Sequence, residues 1–373
     1  MYRTGIIGCG KVAHLHAKAL KHLPTSDFAA VYSRTLDKAK SFASEYGVNA
    51  YDNITEMVEK EKLDLVMVCT PHPNHLDPTL EAMAAGAHVI VEKPLASTLE
   101  DCDVMIAAGK KYNKKLGTIS QRRFYEPVIR LKKAIDDGKI GRPILGTINM
   151  LSWRDEKYYK SDPWRGSWEH EGGGVMVNQA PHQLDLLVWL MGEIDEVYGT
   201  WANMTHPYIE VEDTALAIVK FKNGGLGSIF LSNCQKPGIH TKVQIHGSNG
   251  ASVGVTPEAG AMFIAGVSGI AGPPVNDLWT VPGEEHMIAQ WTKEDTEIFN
   301  SIDPTVHYIE KQIEEFLDAL SAGRDPLITG EEGRKTVELF TAIYRSTRDN
   351  KPVKFPLFPE KDREDMDGRL EGK

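Results

Sequence analysis

Val89-Ile90-Val91-Glu92-Lys93-Pro94 is the stretch on which the fold turns. Three β-branched residues in succession predict a short strand covered on both faces, as in a parallel sheet. An acid, an amine and a proline follow where the chain must leave that sheet. Ligands of open parallel α/β sheets bind outside the carboxyl ends of the strands, so Glu92 and Lys93 stand where chemistry would be done. Ser97-Thr98-Leu99-Glu100 supplies a capping box, and a helix is expected to restart there. By itself Glu-Lys-Pro is also an ordinary polar turn. The sequence on either side decides between the two.

Upstream, Thr4-Gly5-Ile6-Ile7 predicts a strand, and Gly8-Cys9-Gly10-Lys11-Val12-Ala13 follows it. The next helix carries Val12, Leu15, His16, Ala19 and Leu23 on one stripe. This G-x-G-x-x-A element thus has a strand before it and a helix after it, the context in which it binds a dinucleotide. Its first glycine makes the tight turn, its second admits a pyrophosphate, and its small third residue lets helix and strand pack. A second strand, Phe28–Tyr32, ends in Ser33-Arg34. An acid there would bond ribose hydroxyls, whereas a hydroxyl and a guanidinium suit a 2′-phosphate. The pair inclines the reading to NADP; Arg34 stacked on adenine would serve either cofactor and Asp37 keeps NAD open, so the cofactor is NAD or NADP.

Leu65-Val66-Met67-Val68-Cys69 predicts a fourth, buried strand that delivers Thr70-Pro71-His72-Pro73-Asn74-His75 to the same edge. His72 and His75 have no third ligand spaced nearby, so no metal is expected. A short helix from Leu76 to Gly86 and a sixth strand at Leu116–Ile119 complete a β-α alternation over residues 1–121, a Rossmann dinucleotide-binding domain.

The composition is that of a globular protein of two domains: 373 residues, 41% hydrophobic and 25% charged. A formal charge of −10 argues against nucleic-acid and anionic-membrane partners. No run approaches a membrane span, Met1-Tyr2-Arg3 leads into a strand without a signal peptide, and the four cysteines lack metal-ligand spacing, so a reduced, cytoplasmic enzyme is expected.

The motifs together resemble the Gfo/Idh/MocA oxidoreductases, the family of glucose-fructose oxidoreductase and the inositol dehydrogenases. They are G-x-G-x-x-A at 8–13, T-P-x-x-x-H at 70–75, A-x-x-x-G-x-H-V at 82–89 and E-K-P at 92–94. The likeness continues through Gln121-Arg122-Arg123-Phe124, Trp164-Arg165, Gly172-Gly173-Gly174 and Val211-Glu212-Asp213-Thr214. It implies a cofactor-binding set of Gly8, Cys9, Gly10, Lys11, Val12, Ser33, Arg34, Thr70, Pro71, His75, Glu92, Lys93, Gln121 and Arg165. It also implies an oligomer in which one face of the second domain's sheet packs on a partner subunit.

That second domain, residues 122–356, reads as α+β. Pro127 to Asp136 is amphipathic, and alternating strands follow at 144–151, 196–205, 215–221, 226–232 and 241–246. Asn223-Gly224-Gly225 between two of them signals a hairpin. Consecutive hairpins imply a large, open, mostly antiparallel sheet, with Leu216, Ile218, Ile229 and Leu231 as its apolar face and a homo-oligomer built through it. Residues 254–303 show little periodicity and read as a long loop or insertion. Thr329 caps a last helix, and the charged tail, 357–373, is expected to fray from about Lys361.

Within the second domain, helical spacing puts Asn178, His182, Asp185 and Trp189 on one face, with Pro181 in the first turn of the helix or at a kink. A core histidine satisfied by Asp185 is one reading of His182. Oxidising a secondary alcohol removes a hydride from carbon and a proton from oxygen, and histidine is the usual proton acceptor. The resemblance carries the catalytic roles onto Lys93 and His182, with Lys93 stabilising the developing alkoxide, and Glu92 is expected to fix the backbone or Lys93 rather than react. The family commonly has aspartate where this chain has Asn178, which can bind a sugar hydroxyl and cannot take a proton. The substrate-binding set is Asn178, Asp185, Arg122, Tyr159, Trp164 and His307, with Tyr158, Trp168 and His170 in the same polar-aromatic stretch; for any one ring, core packing is the alternative. These features imply an NAD(P)-dependent dehydrogenase acting on a secondary ring hydroxyl of a sugar, a glycoside (carbon 3 being one variant) or a cyclitol. A redox glycosidase with bound NAD, or a non-catalytic NAD(P)-sensing regulator, are the alternatives.

Overall fold

The computed structural model describes residues 1–258, 261–264, 267–270, 272–360 and 366–369. The chain forms two compact units, Met1–Gln121 with Thr305–Val337, and Arg122–Pro304 with Glu338–Lys373.

In the first unit, β1 (Tyr2–Ile7), β2 (Ser26–Tyr32), β3 (Asn49–Tyr51), β4 (Leu65–Val68), β5 (His88–Val91) and β6 (Leu116–Thr118) form one sheet. Its order is β3-β2-β1-β4-β5-β6, every pairing is parallel, and this is the doubly wound Rossmann arrangement. All four residues of β4 are buried, as a strand covered on both faces requires. The helix Leu99–Tyr112 is capped by Thr98, whose Oγ1 accepts from Asp101 N at 3.1 Å, one residue later than the Ser97 reading. Residues 305–337 were expected with the second domain, and here the structure differs. Ile309, Ile313, Phe316 and Leu317 of the helix His307–Ala322 join the core of Ile6, Ala17, Leu20 and Ile119. Gln312 secures that helix to the end of β6, donating to Thr118 O at 2.7 Å and accepting from Ser120 N at 2.9 Å.

The second unit is built on β7 (Pro143–Leu151), β8 (Ile194–Ala202), β9 (Thr214–Phe221), β10 (Leu226–Ser232), β11 (His240–Gly247) and β12 (Ser252–Glu258). Beyond a hairpin of β13 (Ala261–Ile264) and β14 (Val267–Ile270), β15 (Val275–Trp279) and β16 (Val353–Lys354) complete it. The eight-stranded order is β15-β12-β11-β7-β10-β9-β8-β16, antiparallel except where β7 meets β10. Asn223 closes the β9–β10 turn with Oδ1 on Gly225 N at 2.8 Å, and Gly224 takes φ +83°. One sheet face carries the helix Pro181–Met191, with Leu187 and Met191 so close to Gly146 that no Cβ fits there. The other face exposes Tyr198, Leu216, Ile218 and Phe230. Ile229 and Leu231 were expected on that open face, but register pairs Phe230 with Leu216, so both point into the core.

Residues 254–303 are not a loop. Besides β13–β15 they contain the helix Met287–Ser301, held by an Arg130–Asp295 ion pair at 2.5 Å and by Trp291 against Trp279. A helix anchored by a buried charge has a weak apolar stripe, which hid it in the sequence. In the tail, residues 361–365 and 370–373 lie outside the described residues. Asp367 pairs with Arg345 at 2.7 Å and Arg369 is buried over Tyr344, so 367–369 are packed. Among the described residues no helix is long and apolar enough to cross a membrane.

Candidate active site

In the first unit, the candidate residues gather at the carboxyl edge of the parallel sheet. Gly8 takes φ +106°, and a Cβ there would stand 2.9 Å from Cys69 O, so the turn requires glycine. At Gly10 an added Cβ meets nothing within 4 Å, so the space beside it is open. Gly10 precedes the helix Lys11–His22, which has no side-chain cap and no acid in its first turn. The positive end of its dipole thus meets no acidic side chain of its own first turn, as suits a dinucleotide pyrophosphate. At the end of β2, Ser33 is half-buried and Arg34 exposed. These residues fit the cofactor expected from the sequence.

Two neighbouring turns are tied together by His75. Its Nδ1 lies 3.0 Å from Pro94 O and its Nε2 2.9 Å from Thr70 O, and it is fully buried, with burial pushing its pKa down. His75 was expected among the cofactor ligands; both ring nitrogens instead face backbone carbonyls, and it braces the loops. Glu92, which the resemblance also puts in the cofactor set, fixes the Lys93 backbone as expected. Its Oε1 lies 2.7 Å from His16 Nε2, and its Oε2 accepts from Lys93 N at 3.0 Å. Burial works against a charged Glu92, but the His16 contact outweighs it and holds the carboxyl below its usual range. Glu92 is a buried brace beneath half-buried Lys93, the position where β5 releases the chain.

In the second unit, Gly172-Gly173-Gly174 passes directly over Glu212. The Glu212 carboxylate accepts from Gly174 N at 2.9 Å and Met176 N at 3.0 Å, and its main-chain oxygen accepts from Val175 N at 3.0 Å. This pinning produces a π-helical turn, Val175–Gln179, that carries Asn178. Pro181 then opens the helix Pro181–Met191, where its missing N–H costs nothing. The single helical face expected for Asn178, His182, Asp185 and Trp189 is therefore broken after Gln179. His182 is 7% exposed in the helix's first turn. Asp185 lies one turn further and is not its partner. Both Asp185 oxygens are taken by Arg123, Oδ2 by Nε at 2.8 Å and Oδ1 by Nη2 at 2.6 Å, in a pair whose side chains are 2% and 4% exposed. The Asp185 expected in the substrate set is thus a structural anchor.

Asn178 is set in a polar network. Its Nδ2 donates to Glu171 Oε1 and to Tyr158 Oη, the latter at 3.1 Å. Tyr158 Oη also receives Gln179 Nε2 at 2.8 Å and Arg165 Nη1 at 2.5 Å. The Arg165 guanidinium lies 4.3 Å from the Tyr158 ring centroid and 4.4 Å from that of Trp164. Arg165, expected on the cofactor, and Trp164, expected on the substrate, so share this stack. Burial pushes Glu171 up to about 7 and Tyr158 up to about 12. Tyr159 is buried with its hydroxyl 3.4 Å from Asn233 Nδ2, Arg122 is 7% exposed, and Trp168 packs in the core against Trp201 and Tyr344. In the first unit His307 begins its helix, half-buried and edge-on to Tyr308. His206, Asp213 and Cys234 gather within 4.8 Å. Yet His206 Nδ1 faces Asp213 at 2.7 Å and Nε2 faces Arg154 O at 2.8 Å, so the imidazole is committed to the protein.

Residues 2–119 match the family model described as "Oxidoreductase family, NAD-binding Rossmann fold", and residues 128–253 match "GFO/IDH/MocA C-terminal domain". The chain belongs to the Gfo/Idh/MocA oxidoreductase family. As a member it is an NAD(P)-dependent oxidoreductase, with the NAD-binding domain in its first unit. It is 26% identical over 357 residues to myo-inositol 2-dehydrogenase of Thermotoga maritima, covering 94% of this chain and 98% of that one. It is 25% identical over 371 residues to scyllo-inositol 2-dehydrogenase (NAD(+)) of Bacillus subtilis, with 95% and 96% covered. The WlbA dehydrogenase from Bordetella pertussis, solved with NADH and UDP-GlcNAcA, superposes with a TM-score of 0.83 at 27% identity, covering 96% and 98% of the two chains.

Two residues that this Gfo/Idh/MocA chain places under its motifs escaped the sequence reading. His16 appears there only as one position of an apolar stripe, and Glu171 does not appear at all. A histidine in the otherwise apolar stripe was the available signal for the first; the second had none.

Proposed function

We propose that this oxidoreductase removes a hydride from a secondary ring hydroxyl of a sugar, glycoside or cyclitol, with Lys93 and His182 as its catalytic residues. The observation that carries the reading is the bracing of Lys93. The backbone of Lys93 is fixed at the carboxyl end of a Rossmann strand, where its N–H donates to the buried Glu92 carboxylate. The inositol dehydrogenases among the relatives, and the nucleotide sugar bound to the WlbA dehydrogenase, support the substrate class. The nicotinamide, when bound, supplies the hydride acceptor. Lys93 donates to the reacting oxygen and stabilises the charge that grows on it. A ring nitrogen of His182 takes the hydroxyl proton. The amide of Asn178 and the ring of Trp164 contact the substrate's other hydroxyls and ring face.

A screen of inositols, hexoses and hexopyranosides with NAD and NADP, followed by product analysis for the carbon oxidised, tests the substrate. Lys93→Ala and His182→Ala should each lower single-turnover hydride transfer by about 10² to 10⁴, with cofactor affinity changed far less in His182→Ala. Near-normal transfer in folded His182→Ala protein refutes the assignment. Release of a glycone with no net change in NAD(P)H would mark a redox glycosidase instead.

A further inference from the structure

We propose that His16 is a positioning residue for Lys93, acting through Glu92 to set where the lysine leaves the strand. The inference rests on the reading of Lys93 as catalytic.

His16 is completely buried in the second turn of the helix Lys11–His22. Its Nε2 meets Glu92 Oε1 at 2.7 Å, and the other oxygen of that carboxylate accepts Lys93 N at 3.0 Å. The pair sits at the ends of two adjacent strands, where Glu92 N bonds Val68 O at 2.9 Å and Cys69 N bonds Ile7 O at 2.8 Å. The Cys69 thiol, Lys93 and His75 are further titratable groups in electrostatic contact with the pair. Burial disfavours a charged His16, whereas the Cys69 sulfur and the Glu92 carboxylate favour it and raise its pKa; Glu92 is lowered by the same contact.

A buried ion pair adds little stability over well-packed apolar residues. Leucine at 16 would complete the stripe of Val12, Leu15, Ala19 and Leu23. What the imidazole supplies is a direction. A carboxylate held by one oxygen from the helix offers the other to a fixed point, and that point is the Lys93 N–H. His75 holds the next two residues of the turn through Pro94 O and Leu95 O at 3.0 and 3.2 Å. The chain is thereby fixed at both sides of the lysine.

The test is a double-mutant cycle between His16→Leu and Lys93→Ala, read by single-turnover hydride transfer and by cofactor titration, with circular dichroism fixing the folded fraction. His16→Leu should lower the transfer rate about 10²-fold with cofactor Kd within about 3-fold, and should have no further effect in Lys93→Ala protein. His16→Gln, which keeps an N–H donor near the Nε2 position, should recover most of the rate. An equal loss in both backgrounds overturns the proposal, since a merely structural histidine acts whether or not the lysine is present. A loss confined to cofactor Kd also overturns it. Near-normal transfer in Lys93→Ala overturns the catalytic reading and this role with it. If His16→Leu does not fold, His16→Asn, whose amide is too short to reach Glu92, takes its place with the same expected outcomes.

Discussion

Asp185→Ala should unfold the second unit early and leave substrate affinity largely intact. The structure commits Asp185 to Arg123 through two hydrogen bonds at 2.8 and 2.6 Å, with the guanidinium 4.9 Å from the Trp189 ring centroid. Removing the carboxylate takes both of these charge-assisted bonds from an arginine whose side chain is only 2% exposed. Breaking one side of such a pair costs about 3 to 5 kcal/mol. That is a large share of the roughly 5 to 15 kcal/mol by which a protein of this kind is stable. All seven tryptophans lie between Trp153 and Trp291, inside the second unit, so fluorescence during urea unfolding reports on that unit alone. The midpoint of Asp185→Ala should fall accordingly, and the paired change Arg123→Met with Asp185→Leu should restore most of it, because an apolar pair of similar size buries no charge. A stability change within about 0.5 kcal/mol, the usual range for a surface site, together with a tenfold rise in KM, would refute the anchor role. It would return Asp185 to the substrate.

Stability should also depend on the buried carboxylates. Burial pushes Glu171 up to about 7, so from the ordinary carboxyl value of about 4.3 to that pH the folded chain holds a proton the unfolded chain has lost, and stability falls as pH rises through this window. Glu171→Gln should flatten part of that fall in a melting-temperature series; an unchanged slope refutes it. Arg34→Ala should weaken NADP binding far more than NAD binding, and equal losses in titration would leave Arg34 as a stacking residue. The exposed sheet face of Tyr198, Leu216, Ile218 and Phe230 should bury itself in a symmetric homo-oligomer. Light scattering of Ile218→Lys protein should then give a smaller species than the parent chain, and a monomeric parent excludes the interface.

What was legible in the sequence follows from the range of each interaction. Strands β4 and β5 announced themselves because a strand covered on both faces must be apolar throughout, and Gly8 because its turn excludes a Cβ. These are local constraints, each written within a few residues. The hairpin at Asn223 belongs with them. The site's second tier is long-range. His16 meets Glu92 across 76 positions and Arg123 meets Asp185 across 62, and no spacing rule relates such residues. A residue's type was therefore readable where its partner was not, and the misreadings share that form. The family resemblance puts His75 on the cofactor, and the sequence reading puts Asp185 on the substrate. Both are spent inside the protein.

The return of residues 305–337 to the first unit has the same origin. The amphipathic stripe of His307–Ala322 predicts a helix that must cover something, but an apolar stripe carries no address. Gln312 supplies one, since its amide pairs with both Thr118 O and Ser120 N at the end of β6. A glutamine 3% exposed in an apolar stripe and a histidine fully buried in another are the same kind of mark. Each is a polar group whose burial is costly unless a partner meets it, so each points to a contact that hydrophobic patterning cannot specify. In this chain those two contacts lie beside the strand ends that carry Thr118 and Glu92, the edge to which the Rossmann fold brings its ligand. Polar exceptions to an apolar stripe are thus the positions from which the bracing of an active edge can be sought before a structure is known.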